Sequence, residues 1–245
     1  MDSGRGTVRL HVDEPLAPGG VIDVSGTQAH YLINVMRLKV GDAIRLFNGQ
    51  DGEWLCVIET VGRRAIRLVC REQTRTQQPA GDLHYLFAPL KQARLDYMVQ
   101  KATEMGAGLI RPVLTRHTAV RQVNPRRMRA NAIEAAEQCN LLTIPDIEPV
   151  AELAAVVDGW DPNRRLIFCD EAAPVASPIV ALAALEPGPL AVLIGPEGGF
   201  SEEERARLRS LPHVTAISLG PRVMRADTAA VAALALVQAV LGDWR

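Results

Sequence analysis

The chain has 245 residues, 48% of them hydrophobic and 22% charged, with a formal net charge of −1. That balance reads as a soluble globular protein with one large or two small domains. No basic stretch precedes an apolar run at the N-terminus, so a secretory signal is not expected, and the longest apolar run, 229–241, is too short to span a bilayer. The four cysteines (Cys56, Cys70, Cys139 and Cys169) form no CxxC pair. Neither a zinc site nor a disulfide framework is therefore expected, a reducing cytoplasm fits, and each thiol reads as a small packed hydrophobe.

Residues 1–72 read as short strands over 8–12, 21–24, 43–47, 53–60 and 65–69, with a short helix over 27–37. Asn48-Gly49-Gln50-Asp51-Gly52 supplies residues that tolerate the positive φ of a tight turn, so it marks a hairpin. The result is a small β-barrel-like unit. Residues 73–81 are polar, lack apolar periodicity and make the best linker. From 82 to 245 the pattern alternates. Strands are expected at 83–88, 109–114, 165–169, 190–194 and 214–219, and helices at 93–105, 125–138, 149–158, 176–185, 202–210 and 227–241. Such alternation predicts an α/β domain with a largely parallel sheet.

The near-neutral total hides an asymmetry. Residues 91–129 carry nine Lys/Arg against two acids, whereas 130–204 carry fourteen acids against two arginines. The basic stretch is either a footprint for a polyanion or a set of solvated helix faces paired with the acidic half. Leu95, Met98, Val99 and Ala102 form one apolar stripe, and Lys91, Arg94 and Lys101 lie off it, toward solvent or a ligand.

Two loops follow late strands. Gly195-Pro196-Glu197-Gly198-Gly199 permits positive φ and close backbone approach, and Ser201 with Glu204 forms a capping-box pattern for the next helix. This is a strand–turn–helix junction with or without a ligand; neither GxGxxG nor a Walker lysine is present. In the second loop Arg222 and Arg225 stand three residues apart, ahead of an alanine-rich helix that Asp227 or Thr228 can cap. An arginine pair at a strand end is costly to bury without anions. His117, among Arg116 and Arg121, is a surface residue or a phosphate contact, and Cys139 is assigned to packing because no histidine accompanies it. No metal-ligand spacing and no Ser-His-Asp order can be made out.

At these loops the chain resembles the RsmE family of SPOUT-class RNA methyltransferases. The matching segments are His30-Tyr31-Leu32, Val35-Met36-Arg37, Gly41-Asp42, Leu46–Gly49, Lys101–Gly106, Glu137-Gln138-Cys139, Leu193–Phe200 and Leu219–Thr228. Each is weak alone; their order and spacing are specific. The chain departs from the family's usual Gly-Arg at Asn140-Leu141, which removes a basic residue, and from its usual Thr-Glu-Thr at Ala226-Asp227-Thr228, where an acid is kept.

The resemblance implies a PUA-like RNA-binding barrel and a SPOUT α/β domain with a trefoil knot. It further implies a cytoplasmic homodimer using S-adenosylmethionine to methylate N3 of a uridine in 16S ribosomal RNA of the small subunit. Cofactor contacts carried over by position are Leu193, Gly195, Glu197, Gly198, Leu219, Gly220, Val223, Met224 and Arg225. Arg225 is expected to steady charge on the uracil, and Asp227 or Glu197 to take the proton. Arg9, Arg37, Lys91, Arg94, Arg116, Arg121 and Arg126 are the candidate RNA-backbone contacts. Alternatives are a SPOUT enzyme acting on transfer RNA or on a ribose 2′-OH, and a non-catalytic RNA-binding dimer.

Overall fold

A computed structural model describes residues 8–174 and 177–244. Its contacts divide the chain into two units, Met1–Pro79 with Ala136–Thr143, and Ala80–Ala135 with Ile144–Arg245.

In the first unit β1 (Arg9–His11), β2 (Val21–Ser25), β3 (Ala43–Phe47), β4 (Glu53–Val61) and β5 (Ala65–Arg75) form one sheet in the order β1-β3-β4-β5-β2. All pairs are antiparallel except β1 with β3. In β2, Ile22 and Val24 are buried between exposed Val21, Asp23 and Ser25, the period-two pattern of a half-buried strand. The hairpin forms where expected: Asn48 Oδ1 accepts from the Gln50 and Asp51 amides at 3.0 and 2.8 Å, and the Asp51 carboxylate accepts from the Leu16 amide.

Two expectations change here. The helix over 27–37 is α1 (Gly26–His30) followed by a π-helical turn, Tyr31–Val35, and the chain leaves it at Arg37 with φ of 56°. Strand β5 also continues through Arg75, so 73–75 belong to the sheet rather than to a linker. Their side chains are polar, but backbone pairing with Glu53 and Trp54 needs no apolar residue.

The second unit contains β6 (Leu83–Phe87), α2 (Gln92–Glu104), β7 (Ala107–Leu114), α3 (Pro125–Gln138), β8 (Asp146–Ile147), β9 (Ala151–Glu152), α4 (Leu153–Asp158), β10 (Arg165–Cys169), α5 (Pro178–Ala183), β11 (Leu190–Ile194), α6 (Glu202–Arg209), β12 (Val214–Ile217) and α7 (Ala226–Val240). The last turn of α3 belongs by its contacts to the first unit. The sheet is parallel, in the order β12-β10-β11-β6-β7-β8, with β9 also on β7.

Strand residues alternate between two cores. Tyr85, Phe87, Ile110, Ile167, Val192 and Ile194 meet α2, α5 and α7, while Leu86, Val113, Phe168 and Leu193 meet α4 and α6. The stripe Leu95, Met98, Val99 and Ala102 is buried as expected. Strands β8 and β9 are two residues each, too short to leave an apolar pattern, and the helix expected from 149 starts at Leu153. The helix expected over 176–185 is α5; residues 175 and 176 lie outside the described residues. No helix among the described residues is long and apolar enough to cross a membrane.

Candidate active site at the carboxyl edge of the parallel sheet

Because β12, β10 and β11 are neighbours and parallel, the loops after them open on the same edge. In open α/β sheets that edge is where ligands bind. A cavity there is walled by Cys169, Asp170 and Glu171 after β10, by Ile194–Glu197, Gly199 and Phe200 after β11, and by Ser218–Gly220, Arg222–Met224, Ala226 and Ala229 after β12. The two loops singled out in the sequence therefore share one pocket. The third loop was missed. Its signal was an acidic pair, Asp170-Glu171, directly after an apolar strand, the same position in the motif as the other two.

Each wall has a local cause. At Gly195 a Cβ would lie 2.4 Å from Phe200 Cε2, so the loop can pass over that ring only with hydrogen at this position. Phe200 is itself fixed edge-on against Phe168, with centroids 4.8 Å apart. Helix α6 starts at Ser201, whose hydroxyl accepts from the Glu204 amide while Glu204 Oε2 accepts from the Ser201 amide at 2.8 Å, the expected capping box. Glu204 Oε1 also accepts from the Arg116 amide. His117 Nδ1 lies 3.1 Å from the Gly198 carbonyl oxygen, so the turn after β7 supports the glycine loop.

After β10, the Asp170 side chain is fully buried and holds Arg209 at 2.5 Å and Arg205 at 3.3 Å. Arg205 also pairs with Glu171. Burial, then the Asp170 charge, pushes the Cys169 thiol up to about 12. Near neutral pH it is a thiol and not a nucleophile. Burial likewise raises the Tyr85 phenol, with Cys169 and Asp227 adding to the shift.

The expected cofactor residues divide. Gly195, Glu197, Leu219, Gly220, Val223 and Met224 line the cavity. Leu193 does not: strand alternation turns its side chain into the Phe168–Phe200 core, and Ile194 takes the wall position. Gly198 and Arg225 lie outside the lining, where Gly199 and Arg222 stand instead. Arg225 is the N-cap residue of α7, correcting the assignment of the cap to Asp227 or Thr228. Asp227 sits in the first turn of that helix, where Oδ1 accepts from the Thr228 amide at 2.9 Å.

The candidate RNA contacts divide too. Arg37, Lys91, Arg116 and Arg126 are exposed, and their side chains make no ion pair among the described residues. Arg121 is exposed but paired with Glu152 at 2.6 Å, and Arg94 is paired with Glu197. Arg9 is a clear correction. It is buried within the first unit, with Nε 2.6 Å from Glu53 Oε2 and its other nitrogens donating to the carbonyls of Ala136, Glu137 and Leu141. Four of its five N–H donors are spent there, and the side chain is too buried to reach phosphate. Cys139, expected to pack, is exposed, and all four thiols are unbridged.

A larger cavity, about 360 Å³ against 110 Å³, lies between the turn after β7, α4 and α6. Its arginines, Arg116, Arg121 and Arg207, face Glu152, Glu203 and Glu204, and it has no glycine-bearing loop. Size alone would choose that one. The chemistry favours the strand-end cavity.

A parallel sheet with a loop pocket at its carboxyl edge defines an α/β ligand-binding architecture. The family model described as RNA methyltransferase domain matches residues 76–238, and that described as RNA methyltransferase PUA domain matches 24–69. The protein is thus an RNA methyltransferase of the SPOUT class with an N-terminal PUA domain.

The chain is 33% identical to ribosomal RNA small subunit methyltransferase E of Rickettsia conorii, covering 94% of each chain. It is 28% identical to the Bacillus subtilis protein of the same name, covering 87% of this chain and 88% of the relative. A Legionella pneumophila protein assigned as a methyltransferase, solved with the cofactor SAM bound, superposes with a TM-score of 0.81 at 27% identity, covering 95% of this chain and 97% of that one. The chain belongs to the ribosomal RNA small subunit methyltransferase E family.

Proposed function

We propose that the protein methylates N3 of a uridine in 16S ribosomal RNA, using S-adenosylmethionine as donor. The observation that carries this reading is the convergence of three loops, after β10, β11 and β12, on one pocket in a chain of this family. The residues present suit the donor. Ile194, Leu219, Met224 and Ala229 offer apolar surface for a purine, while Glu171 and Glu197 offer acceptors for hydroxyl and amino groups and a favourable field for a cation. When bound, S-adenosylmethionine supplies a methyl group on a sulfonium, which is left behind as a neutral thioether.

Gly195, Glu197, Leu219, Gly220, Val223 and Met224 hold the cofactor in this reading. Leu193 and Gly198 have only main-chain groups to offer it. Arg225, exposed and without an ion pair among the described residues, is free to face the uracil oxygens and steady the charge that builds there. Asp227 or Glu197 takes the N3 proton. Arg37 on the PUA unit, and Lys91, Arg116 and Arg126 on the α/β unit, supply phosphate contacts that position the RNA without reading its sequence. The domains act as the sequence suggests, the first on RNA and the second on the methyl donor. A homodimer working in the cytoplasm on the small ribosomal subunit completes the proposal.

The test has two parts. Saturating S-adenosylmethionine must raise the thermal midpoint, since a ligand bound only by the folded state stabilises it. Nucleoside mass spectrometry of 16S ribosomal RNA from a deletion strain must then show 3-methyluridine lost. Persistence of that mark, or loss of a transfer RNA or ribose mark instead, overturns the substrate.

A further inference from the structure

One side chain outside the cavity wall touches both candidate proton acceptors. Arg94, in the first turn of α2, pairs through Nη1 with Glu197 of the first loop, and its Nε lies 3.8 Å from Asp227 Oδ2. The two carboxylates stand on different elements, the β11–α6 loop and the first turn of α7, and Arg94 is the cation that both meet. They are not equivalent. The Asp227 side chain is 19% exposed and that of Glu197 60%. Asp227 Oδ1 is held by the Thr228 amide, at the N-terminus of a 15-residue helix whose free amides favour an anion. Its Oδ2 faces Arg94.

We propose that Arg94 is a positioning residue for methyl transfer, bridging Glu197 and Asp227 and so orienting Asp227 Oδ2 as the acceptor of the N3 proton. This rests on the uridine-methylation reading above. The proton passes from uracil N3 to Asp227 Oδ2, and the N3–H electron pair stays on N3 to bond the methyl carbon. The C–S pair remains on sulfur, and the neutral carboxyl later returns its proton to water. The groups facing Asp227 are Arg94 from α2, with Glu197 on the far side of that guanidinium, and the neutral Tyr85 phenol of β6. Arg225 precedes it by two residues on its own element. Arg94 is thus withdrawn from the expected phosphate contacts and given a role inside the site.

The experiment measures kcat and KM for methyl transfer to small-subunit RNA lacking the mark, at saturating S-adenosylmethionine and one fixed pH. Wild type is compared with Asp227→Asn, Arg94→Gln, Arg94→Lys and Glu197→Gln. Asp227→Asn is expected to lower kcat by about 100-fold or more, the usual size of a general-base effect. Arg94→Gln is expected to lower kcat by about 10-fold or more with little change in KM for the RNA, because Asp227 Oδ2 loses the group that orients it. Glu197→Gln, which leaves Arg94 beside Asp227, lowers kcat less than Arg94→Gln does; Arg94→Lys recovers part of the Gln defect, and Arg94→Gln added to Asp227→Asn costs almost nothing more.

A purely structural Arg94 would lower kcat by the same factor whether residue 227 is Asp or Asn. Independent, multiplying effects of Arg94→Gln and Asp227→Asn therefore overturn the proposal, as does an Asp227→Asn enzyme of near-normal kcat. The cofactor-induced rise in thermal midpoint checks that each variant is folded. If Arg94→Gln fails that check, Arg94→Lys and Glu197→Gln carry the comparison. Wild type without any transfer sinks the methylation reading itself; wild type that transfers while the Arg94→Gln and Asp227→Asn effects multiply sinks only the role of Arg94.

Discussion

Arg9 offers the sharpest contrast between an expectation from sequence and the folded chain, and its replacement by alanine separates the two. In the first unit the Arg9 guanidinium donates to Glu53 and to the carbonyls of Ala136, Glu137 and Leu141, and its Cζ lies 4.5 Å from the centre of the Phe47 ring. The Arg9 and Glu53 side chains are 5% and 2% exposed. Removing Arg9 strands a buried carboxylate, which costs about 3–5 kcal/mol when one partner of a buried pair is deleted. Thr74 Oγ1 at 2.8 Å and Arg45 and Arg75 at 3.8 and 4.0 Å remain near Glu53, which argues for the lower end of that range.

At roughly 2–4 °C per kcal/mol for a protein of this size, Arg9→Ala should drop the thermal midpoint by on the order of 10 °C. Arg9→Lys keeps the charge but loses the fork and should fall between. Differential scanning calorimetry reads the midpoint, and RNA binding as a function of salt reads phosphate contacts. A midpoint within about 1 °C of wild type, with a salt slope reduced by about one, would refute the clasp and restore Arg9 as a phosphate ligand.

Three further outcomes follow from the geometry. Gly195→Ala puts a methyl 2.4 Å from a Phe200 atom, so it should cost about 1–3 kcal/mol of overpacking and weaken S-adenosylmethionine binding in calorimetry. Unchanged stability and affinity would mean that the loop passes Phe200 differently. Arg225→Ala removes an exposed side chain with no partner among the described residues, so stability should stay within about 0.5 kcal/mol while kcat falls more than cofactor affinity; the reverse pattern makes it a cofactor clamp. At Glu53, burial alone would raise the carboxyl pKa, but hydrogen bonds from Arg9 and Thr74 and the charges of Arg9 and Arg45 outweigh it and leave it lowered. Its contribution is therefore complete above the unfolded carboxyl value, about pH 4.3, and is lost as pH falls through the lower folded value. Denaturant titrations should show Glu53→Gln less stable at neutral pH and with a flatter acid decline; equal slopes would count against the pairing.

The sequence alone carried whatever depends on near neighbours along the chain. Apolar runs with period two, helical stripes, the Asn48–Gly52 turn and the Ser201–Glu204 cap were legible because they are satisfied within a few residues. The two glycine-bearing loops were legible for the same reason, each being a strand end that cannot continue. Only the tertiary structure could place β10 between β12 and β11 and so add Asp170 and Glu171 to the pocket, because strand order is set by contacts far apart in sequence. The fate of the arginines was equally hidden. Arg9 and Arg94 look like any exposed cation in the sequence, but Arg9 meets a carboxylate 44 residues away and Arg94 one 103 residues away. Composition gives a residue its charge; the fold decides which opposite charge stands within reach, and whether water stands between them.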